Sequence, residues 1–334
     1  MLQLTNRTAL PTKLLAIPDP DGVEALHVIV KATFALTPAA ALAAAQRPVA
    51  LADVTAGEGA GAWLRLPSEV HPAKPSTEVL LDGHAVAPGG RAVGVLDVGV
   101  AVGAWRRSLR VFGDRQYTGL AAPFCTDPAA FVRIALTPDR AFGGRFADTG
   151  EVEPRNPLGV GLVPSGLRDL RPLRGLPLPN VEDPAALIAR PGDRPPPALV
   201  TPVSAAWQPR AARAGTYDDA WDRSRAPFLP TDFDPRFLQA ASEAMWLPAR
   251  LQGGEPIALH HLSDAPVLES RVPALGLRIR ARYRGEVVAL PAHAETLHLF
   301  PDEGVATLLL RATLRCGHRV LDVAVVEIDA EGAR

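Results

Sequence analysis

Apolar and polar residues alternate along residues 26–36, and this alternation limits the possible folds more than any other feature of the sequence. Successive side chains of a strand point to opposite faces. The segment is therefore predicted to be a half-buried strand with His27, Lys31 and Thr33 on its polar face. Further short strands are predicted between turns that contain glycine, at residues 78–81, 84–87, 93–102 and 109–112. This spacing favours antiparallel sheet over βαβ crossovers.

The C-terminal part of the chain repeats the strand pattern. Residues 277–283 alternate apolar side chains with the first members of a row of arginines. That row consists of Arg278, Arg280, Arg282 and Arg284. Because like charges along one strand repel each other, we expect Glu295 or Glu327 to lie on a neighbouring strand. Residues 287–290 and 296–300 are predicted to continue a meander. Residues 305–316 and 319–328 are predicted to form a hairpin across Gly317 and His318.

These patterns predict a mainly β protein with an antiparallel β-sandwich-like or multi-sheet architecture, long ordered loops and a few short helices. Residues 39–61 are predicted to be a weak helix or a loop. Residues 138–209 are rich in proline and glycine, and their asparagine–proline turns favour ordered loops laid over a sheet. We expect one domain over residues 1–334, with N-terminal strands (1–137), a loop-rich layer (138–256) and a C-terminal β-meander (257–334).

Residues 213–237, here called the aromatic segment, concentrate specific side chains in a protein that is only 5% aromatic. Thr216 is predicted to cap a short helix, with Asp219 in the reciprocal position of a capping box. Tyr217 and Trp221 then stand four residues apart on one helical face. We expect Trp221 to be buried, and we leave open whether Tyr217 is buried or faces a partner.

The helix has to end before Pro227. A second helical turn is predicted after it, with Asp234 as the cap and Pro235 in the first position. Phe233 is predicted to pack on Leu238 as a hydrophobic staple. Phe237 is expected to be buried. For Phe233, as for Tyr217, we leave open whether the side chain is buried or faces a partner.

The aspartates of the aromatic segment are the strongest candidates for chemistry, because carboxylates bind divalent metals and act as acid–base pairs. Their positions at predicted helix caps favour a structural role. Ser165 lies outside a G-x-S-x-G elbow, and the histidines lack an HExxH frame. We therefore expect a non-catalytic protein without a cofactor or a metal. The alternative is a hydrolase that acts on carbohydrate or peptide with aspartates of this segment.

A formal net charge of −1 gives no overall field toward nucleic acid or anionic membrane. Cys125 and Cys316 do not form a zinc-ligand spacing and are expected to be reduced. The N-terminus lacks a basic start followed by an apolar run, and the alanine-rich residues 39–45 are too short to span a bilayer. We expect a cytoplasmic protein with neither nucleic acid nor membrane as a partner.

Several longer motifs carry a resemblance to a known family. They are VIVKATF at 28–34, KPSTEVLLDGHAVAPGG at 74–90, VFGDR at 111–115, RAFGG at 140–144, NPLGVG at 156–161, GLPLPNVEDP at 175–184 and LQGGE at 251–255. Together with the aromatic segment, their order and spacing resemble the bacterial family named domain of unknown function 2169, from residue 1 to about residue 255. The resemblance implies an adaptor or chaperone that loads a type VI secretion effector onto the VgrG/PAAR spike.

The partners that this resemblance implies are an effector, a VgrG/PAAR spike protein, or both. Aromatic and arginine side chains are the types that anchor protein partners, and a basic strand offers a docking edge for an acidic surface. The candidate partner-binding residues are Tyr217, Trp221, Arg225, Phe228, Asp232, Phe233, Arg236, Arg278, Arg280 and Arg282.

Overall fold

The computed structural model describes residues 2–120, 123–317 and 319–330, and it confirms a mainly β fold. The strands are β1 (Gln3–Asn6), β2 (Thr12–Pro18), β3 (Glu24–Ala35), β4 (Val54–Ala56), β5 (Trp63–Leu66), β6 (Glu78–Leu81), β7 (His84–Val86), β8 (Val95–Val102), β9 (Trp105–Phe112), β10 (Arg133–Ala135), β11 (Phe142–Gly143), β12 (Val160–Gly161), β13 (Val181–Glu182), β14 (Pro256–His260), β15 (Val267–Arg271), β16 (Leu277–Tyr283), β17 (Glu286–Leu290), β18 (His293–Phe300), β19 (Val305–Gly317) and β20 (Val323–Ala330). The α-helix α1 spans Asp219–Ser224, and the other helical pieces are short 3₁₀ turns. Among the described residues, no helix is long and apolar enough to cross a membrane.

A central sheet of five strands, in the order β2-β3-β19-β18-β6, organises the molecule. The alternation at residues 26–36 forms β3, as predicted, and β3 pairs with β2 and β19 on its two sides. The prediction of a half-buried strand is wrong, because the polar face is also covered: His27 and Lys31 are 1% and 8% exposed. This face, called the polar face below, lies partly under the segment of residues 47–69, from which Val49 packs on Ile29 and Leu309.

The apolar face of the central sheet packs against two other sheets. At one end, Val28 and Val30 share a core with Ile279 and Val326 of a second sheet, whose order is β1-β20-β16-β17. At the other end, the core continues to a third sheet with the order β13-β9-β8-β14-β15. The apolar residues Leu96, Val98, Val100 and Val102 on β8 are buried there, as their alternation predicts. The multi-sheet architecture is thus confirmed.

Two predicted strand connections are wrong. The strands β19 and β20 do not form a hairpin, since β19 pairs within the central sheet and β20 pairs with β1 and β16 in the second sheet. Gly317 has a left-handed φ of 63°, and a 3₁₀ turn over Val320–Asp322 leads the chain into the second sheet. His318, which was predicted to lie in the hairpin turn, falls outside the described residues. The meander is also interrupted, because β17 and β18 belong to different sheets.

Not all of the pairing is antiparallel, contrary to the prediction. The pairs β1–β20, β6–β18 and β11–β12 are parallel, whereas the hairpin of β8 and β9 is antiparallel as expected. Residues 39–61, predicted to be a weak helix or a loop, form loop with the short strand β4 and a 3₁₀ turn at Gly59–Gly61.

The loop-rich residues 138–209 are held by a core of their own. Tyr117, Phe142 and Leu178 are buried together in it, and none of the three is more than 2% exposed. The RAFGG and NPLGVG motifs meet through the parallel pair β11–β12. Gly143 has a φ of 148°, and a Cβ there would lie 2.1 Å from the carbonyl oxygen of Asn156, so glycine is required for the close approach. This part of the chain therefore consists of ordered loops.

The arginine row is shorter than predicted. Arg278, Arg280 and Arg282 are exposed on β16, but Arg284 lies in the following turn with a left-handed φ of 51°. Arg280 pairs with Asp329 at 2.8 Å and with Glu327 at 3.9 Å, both on the neighbouring strand β20. Glu327 thus has the offsetting role expected of it. Glu295 does not, because it is buried in an ion pair with Arg311.

Candidate functional site

The aromatic segment folds back on itself and forms a closed loop. The carboxylate of Asp232 accepts hydrogen bonds from the backbone N–H of Thr216 at 2.9 Å and from its hydroxyl at 2.7 Å. The backbone N–H of Asp234 donates to the carbonyl of Arg213 at 3.0 Å. These three bonds join the two ends of the segment, so the residues between them are presented as one structural unit.

The helix α1 begins two residues later than predicted. Asp218, not Thr216, is its N-cap, and its carboxylate accepts hydrogen bonds from the N–H groups of Ala220 and Trp221. Thr216 is instead bound to Asp232, sixteen residues further along the chain. The helix ends at Ser224, before the cis peptide bond of Ala226–Pro227, in agreement with the prediction that it stops before Pro227.

The second helical turn is where the sequence predicts it. Asp234 caps a 3₁₀ turn over Pro235–Leu238, and its carboxylate accepts a hydrogen bond from the N–H of Arg236 at 2.9 Å. The guanidinium of Arg236 returns to the same carboxylate, so Arg236 contributes locally to this cap. The ring of Phe233 meets that of Phe237 edge-on, with the centroids 5.8 Å apart.

The aromatic side chains of the segment are unequally exposed. Tyr217 is 54% exposed and Phe228 is 37% exposed. Trp221, expected to be buried, is half-buried, and its ring meets Tyr217 edge-on at a centroid distance of 4.8 Å. The indole N–H of Trp221 donates to the carbonyl of Phe228 at 2.8 Å. Phe237, also expected to be buried, is half-buried, as is Phe233. The expectation of burial is wrong for both Trp221 and Phe237, because each packs on its neighbours at the surface.

Four of these five rings, all but that of Trp221, line an apolar pocket of about 410 Å³. Its aromatic wall consists of Tyr217, Phe228, Phe233 and Phe237, and the end of β2 supplies Ile17 and Pro18. Among the described residues that line it, Asp19 is the one charged residue. A site of this kind takes an apolar side chain or a short apolar segment of another molecule.

Arginines attach the pocket to the rest of the protein. Arg225 donates to the carbonyl of Leu229 at 2.8 Å and to that of Pro20 at 3.1 Å, which fixes the segment to the turn between β2 and β3. Arg210 is deeply placed and donates to the carbonyls of Phe237 and Val203 at 2.8 and 2.6 Å. Arg225, a predicted partner-binding residue, thus has a structural role that the sequence does not reveal.

Three of the five aspartates of the segment, Asp218, Asp232 and Asp234, have capping or loop-closing partners. The hydrogen bonds that Asp232 accepts from Thr216 hold the pKa of its carboxyl below the ordinary value. The side chain of Arg236 does the same for the pKa of Asp234. A general acid needs a raised pKa near neutral pH, so both carboxylates are poorly suited to that role. Within residues 2–120, 123–317 and 319–330, no group of three or more histidine, cysteine, aspartate or glutamate side chains is arranged to hold a metal.

The other predicted site residues are not brought to this pocket. Arg278, Arg280 and Arg282 lie on β16 in the second sheet, and none of them lines it. The pocket residues that the sequence did not indicate are Ile17, Pro18, Asp19 and Pro72. Arg210, which supports Phe237 without lining the pocket, was also missed. The one signal in the sequence is Pro18, which indicates a turn nearby. It does not indicate that this part of the chain packs against the aromatic segment.

Residues 21–311 match the family model described as "Uncharacterized protein conserved in bacteria (DUF2169)". The matched range includes the aromatic segment and every motif that carries the resemblance. Neither a curated protein nor a solved structure matches the chain.

Proposed function

The chain belongs to the bacterial family called domain of unknown function 2169, and on that premise we propose that it is a non-catalytic adaptor or chaperone for a type VI secretion effector. In this proposal it binds the effector in the cytoplasm and helps to load it onto the VgrG/PAAR spike. The observation that carries the proposal is the partly exposed aromatic wall around the apolar pocket of the aromatic segment.

The chemistry of the pocket supports a protein partner. Tyrosine, tryptophan and arginine dominate the binding energy of protein interfaces, and they do so from pockets that exclude water. Here Tyr217 and Trp221 pack edge-on, and the loop that carries them is closed by Asp232. Such fixed aromatic side chains lose little conformational entropy when a partner binds.

The test is a binding measurement between the purified full chain and the effector and spike proteins encoded beside its gene. We expect at least one of them to bind. The double variant Tyr217→Ser/Phe228→Ser should weaken that binding at least thirtyfold, or about 2 kcal/mol, the usual cost of removing an interface anchor. Circular dichroism and thermal unfolding would confirm that the variant is folded.

A matched control removes an exposed apolar side chain elsewhere. Val287 is 60% exposed on β17, at the edge of the second sheet, and Val287→Ser should leave the affinity unchanged. Equal binding by the double variant and by Val287→Ser would contradict the assignment of the pocket. Failure of all neighbouring effector and spike proteins to bind would contradict the adaptor function.

The alternative function, a hydrolase of carbohydrate or peptide, predicts a different result. The variants Asp218→Asn and Asp232→Asn would then abolish a hydrolytic activity while the protein stays folded. The adaptor proposal expects no such activity in the wild-type protein, and it expects Asp232→Asn to loosen the loop that Thr216 and Asp232 close.

A further inference from the structure

A second cavity, of about 410 Å³, lies on the polar face of the central sheet under residues 47–69. Its base is formed by Lys31 on β3, His298 on β18, and Lys74, which lies before β6. Arg47 and Arg65 line the cavity from the covering segment. This site is separate from the pocket of the aromatic segment, with which it shares no lining residue.

The lysines of this cavity stand out in the sequence. The chain has 35 lysines and arginines in total, of which only Lys13, Lys31 and Lys74 are lysines. Two of these three line the same cavity, and both are buried, at 8% and 3% exposed. A buried ammonium is a compact point charge that is costly to place away from water unless anions or dipoles surround it.

The ammonium groups keep donors beyond their ion pairs. Lys31 pairs with Glu69 at 2.7 Å, its one ion-pair partner among the described residues. Lys74 contacts Glu78 and donates to the hydroxyl of Thr296 at 2.9 Å. Each ammonium has three N–H donors, so capacity to bind a further acceptor remains on both.

His298 adds an unsatisfied polar atom to the cavity. Its ring stacks on Phe300 with the centroids 4.2 Å apart, and the guanidinium of Arg47 lies 4.1 Å from the centroid of the same Phe300 ring. The Nε2 atom of His298 is buried without a hydrogen-bond partner among the described residues. A buried polar atom in this condition is unfavourable unless a ligand or water supplies the missing bond.

Cationic side chains act on the pKa of His298. Burial lowers its pKa well below the ordinary value, and Lys31, Arg47, Arg65 and Lys74 lower the pKa further. The imidazole is therefore neutral at neutral pH and can donate one hydrogen bond. Four cationic side chains line the cavity, and each is paired with a carboxylate: Lys31 with Glu69, Lys74 with Glu78, Arg47 with Glu303 and Arg65 with Asp82. The charges are therefore balanced, and it is the remaining N–H donors of the two lysines and of His298 that favour a ligand with acceptor oxygens.

The walls of the cavity are largely apolar. Val54, Leu66, Leu80 and Leu309 line it, with Pro48 and Pro67 from the covering segment. The volume falls within the range of about 300–1,000 Å³ that is usual for small-molecule sites. The cavity therefore suits an occupant that combines an acceptor group, such as a carboxylate, with a compact apolar body.

We propose that this cavity binds a carboxylate carried on a compact apolar body, with Lys31, Lys74 and His298 around the carboxylate. The same chemistry has two sources, the C-terminal carboxylate of a polypeptide and a small organic acid. The proposal does not rest on the adaptor function, because no residue of the aromatic segment takes part in it.

The test measures binding of matched acid and amide probes to the full chain by calorimetry. The probes are octanoate and octanamide, and the N-acetylated tripeptide Ala-Ala-Leu as the free acid and as the C-terminal amide. At least one acid should bind, and its amide should bind at least about tenfold more weakly, since charge-assisted hydrogen bonds are lost. Binding of the peptide acid alone identifies a polypeptide C-terminus, and binding of octanoate alone identifies a small acid.

Two variants locate the binding. The double variant Lys31→Met/Glu69→Gln removes the cation together with its ion-pair partner, so that no buried charge is left unpaired, and should weaken acid binding at least about tenfold. If circular dichroism shows that this variant is unfolded, the variant Val54→Trp tests the location of the binding site instead. Val54 is exposed and lines the cavity, so a tryptophan there should block entry. Leu51→Trp, at an exposed position that does not line the cavity, is its control.

Three results would overturn the proposal. One is the failure of both acids to bind at concentrations up to about 10 mM, the weak limit of measurable affinity here. Another is equal affinity for the acid and amide forms. The third is unchanged acid binding by the folded double variant, or by Val54→Trp relative to Leu51→Trp.

Discussion

Three histidines of the central region have pKa values lowered by their surroundings. Burial, with a smaller contribution from the nearby Arg311, lowers the pKa of His27 to about 4. Burial also lowers the pKa of His71 and of His298 well below the ordinary value, and Lys74 and Lys31, respectively, are the strongest of the nearby cations that add to the effect. All three imidazoles are therefore neutral in the folded protein at neutral pH.

We predict that the protein loses stability on mild acidification. The unfolded chain takes up these protons near pH 6.5, whereas the native chain does so only at much lower pH, so the unfolded state binds more protons between the two values. Stability is then fully present above about pH 7 and falls by up to about 1.4 kcal/mol per pH unit for each histidine. Urea unfolding at about pH 7.5, 6 and 5 measures this slope.

The variant His27→Gln should reduce the slope in this window, even if it changes the absolute stability through loss of the bond to Thr313. His293, which is exposed on β18, provides the matched control, and His293→Gln should leave the slope as in the wild type. The carboxyl groups with lowered pKa values, such as that of Asp329, lose their contribution only in more acidic solution. If the slope is the same in the wild type and in both variants, the lowered pKa assigned to His27 is contradicted.

The sequence predicts the orientation of single side chains better than it predicts what packs against them. The alternation correctly places His27 and Lys31 on the polar face of β3. Tyr217 does meet Trp221, but the prediction that they share a helical face is wrong, because Tyr217 precedes the N-cap of α1. Burial of the polar face depends on residues 47–69, which carry no recognisable period. For the same reason, the cluster of Lys31 with His298 is invisible before the strands are paired.

Buried ion pairs connect elements that are far apart in sequence. Arg115 of the VFGDR motif contacts Glu182 of the GLPLPNVEDP motif, and both side chains are buried. Arg115 also donates to the carbonyl of Pro179 at 2.9 Å, and Glu182 accepts from the N–H of Ile188 at 2.7 Å. These contacts fix β13 and the following loop to the edge of the third sheet.

We predict that Arg115→Met destabilises the protein by about 3–5 kcal/mol, because it leaves the carboxylate of Glu182 buried without its cation. Arg110 offers a matched control on the preceding strand, since its partner Asp97 is exposed across the β8–β9 hairpin. Arg110→Met should leave the urea midpoint unchanged, as is usual for exposed pairs. Equal midpoints for the two variants would show that the Arg115–Glu182 pair does not hold the elements together.

Elements are predictable from local patterns, but their partners are not. The strands β3, β8 and β16 follow from alternation alone. The patterns of β19 and β20 are equally regular, but they do not show how the two strands are connected. A hairpin and a crossing into another sheet would bury the same apolar faces. The choice depends on Gly317 and on tertiary packing against β1 and β16. Similarly, Thr216 and Asp218 are both good caps, and only the distant Asp232 decides between them.

At the scale of the whole molecule, the loop-rich residues 138–209 are linked to the aromatic segment through Arg210, which donates to the carbonyls of Val203 and Phe237. Their composition alone is typical of a linker, but their backbone groups are paired. The N–H of Gly144 donates to the carbonyl of Asn156 at 2.8 Å, and that of Asn180 donates to Arg140 at 2.8 Å. The side chain of Asn156, fully buried, donates to the carbonyls of Pro138 and Phe142.

We therefore predict that residues 141–163 exchange their amide hydrogens slowly, although they are mostly loop. Exchange requires opening of the hydrogen bonds, and here opening would also expose the core around Phe142 and Leu162. Mass spectrometry of the full chain should show slower exchange for this segment than for residues 51–62, which are mostly exposed. Complete exchange of residues 141–163 at the earliest time point would show that the loop-rich residues are a flexible tether. The aromatic pocket would then lack the rigid support that presenting a partner-binding surface requires.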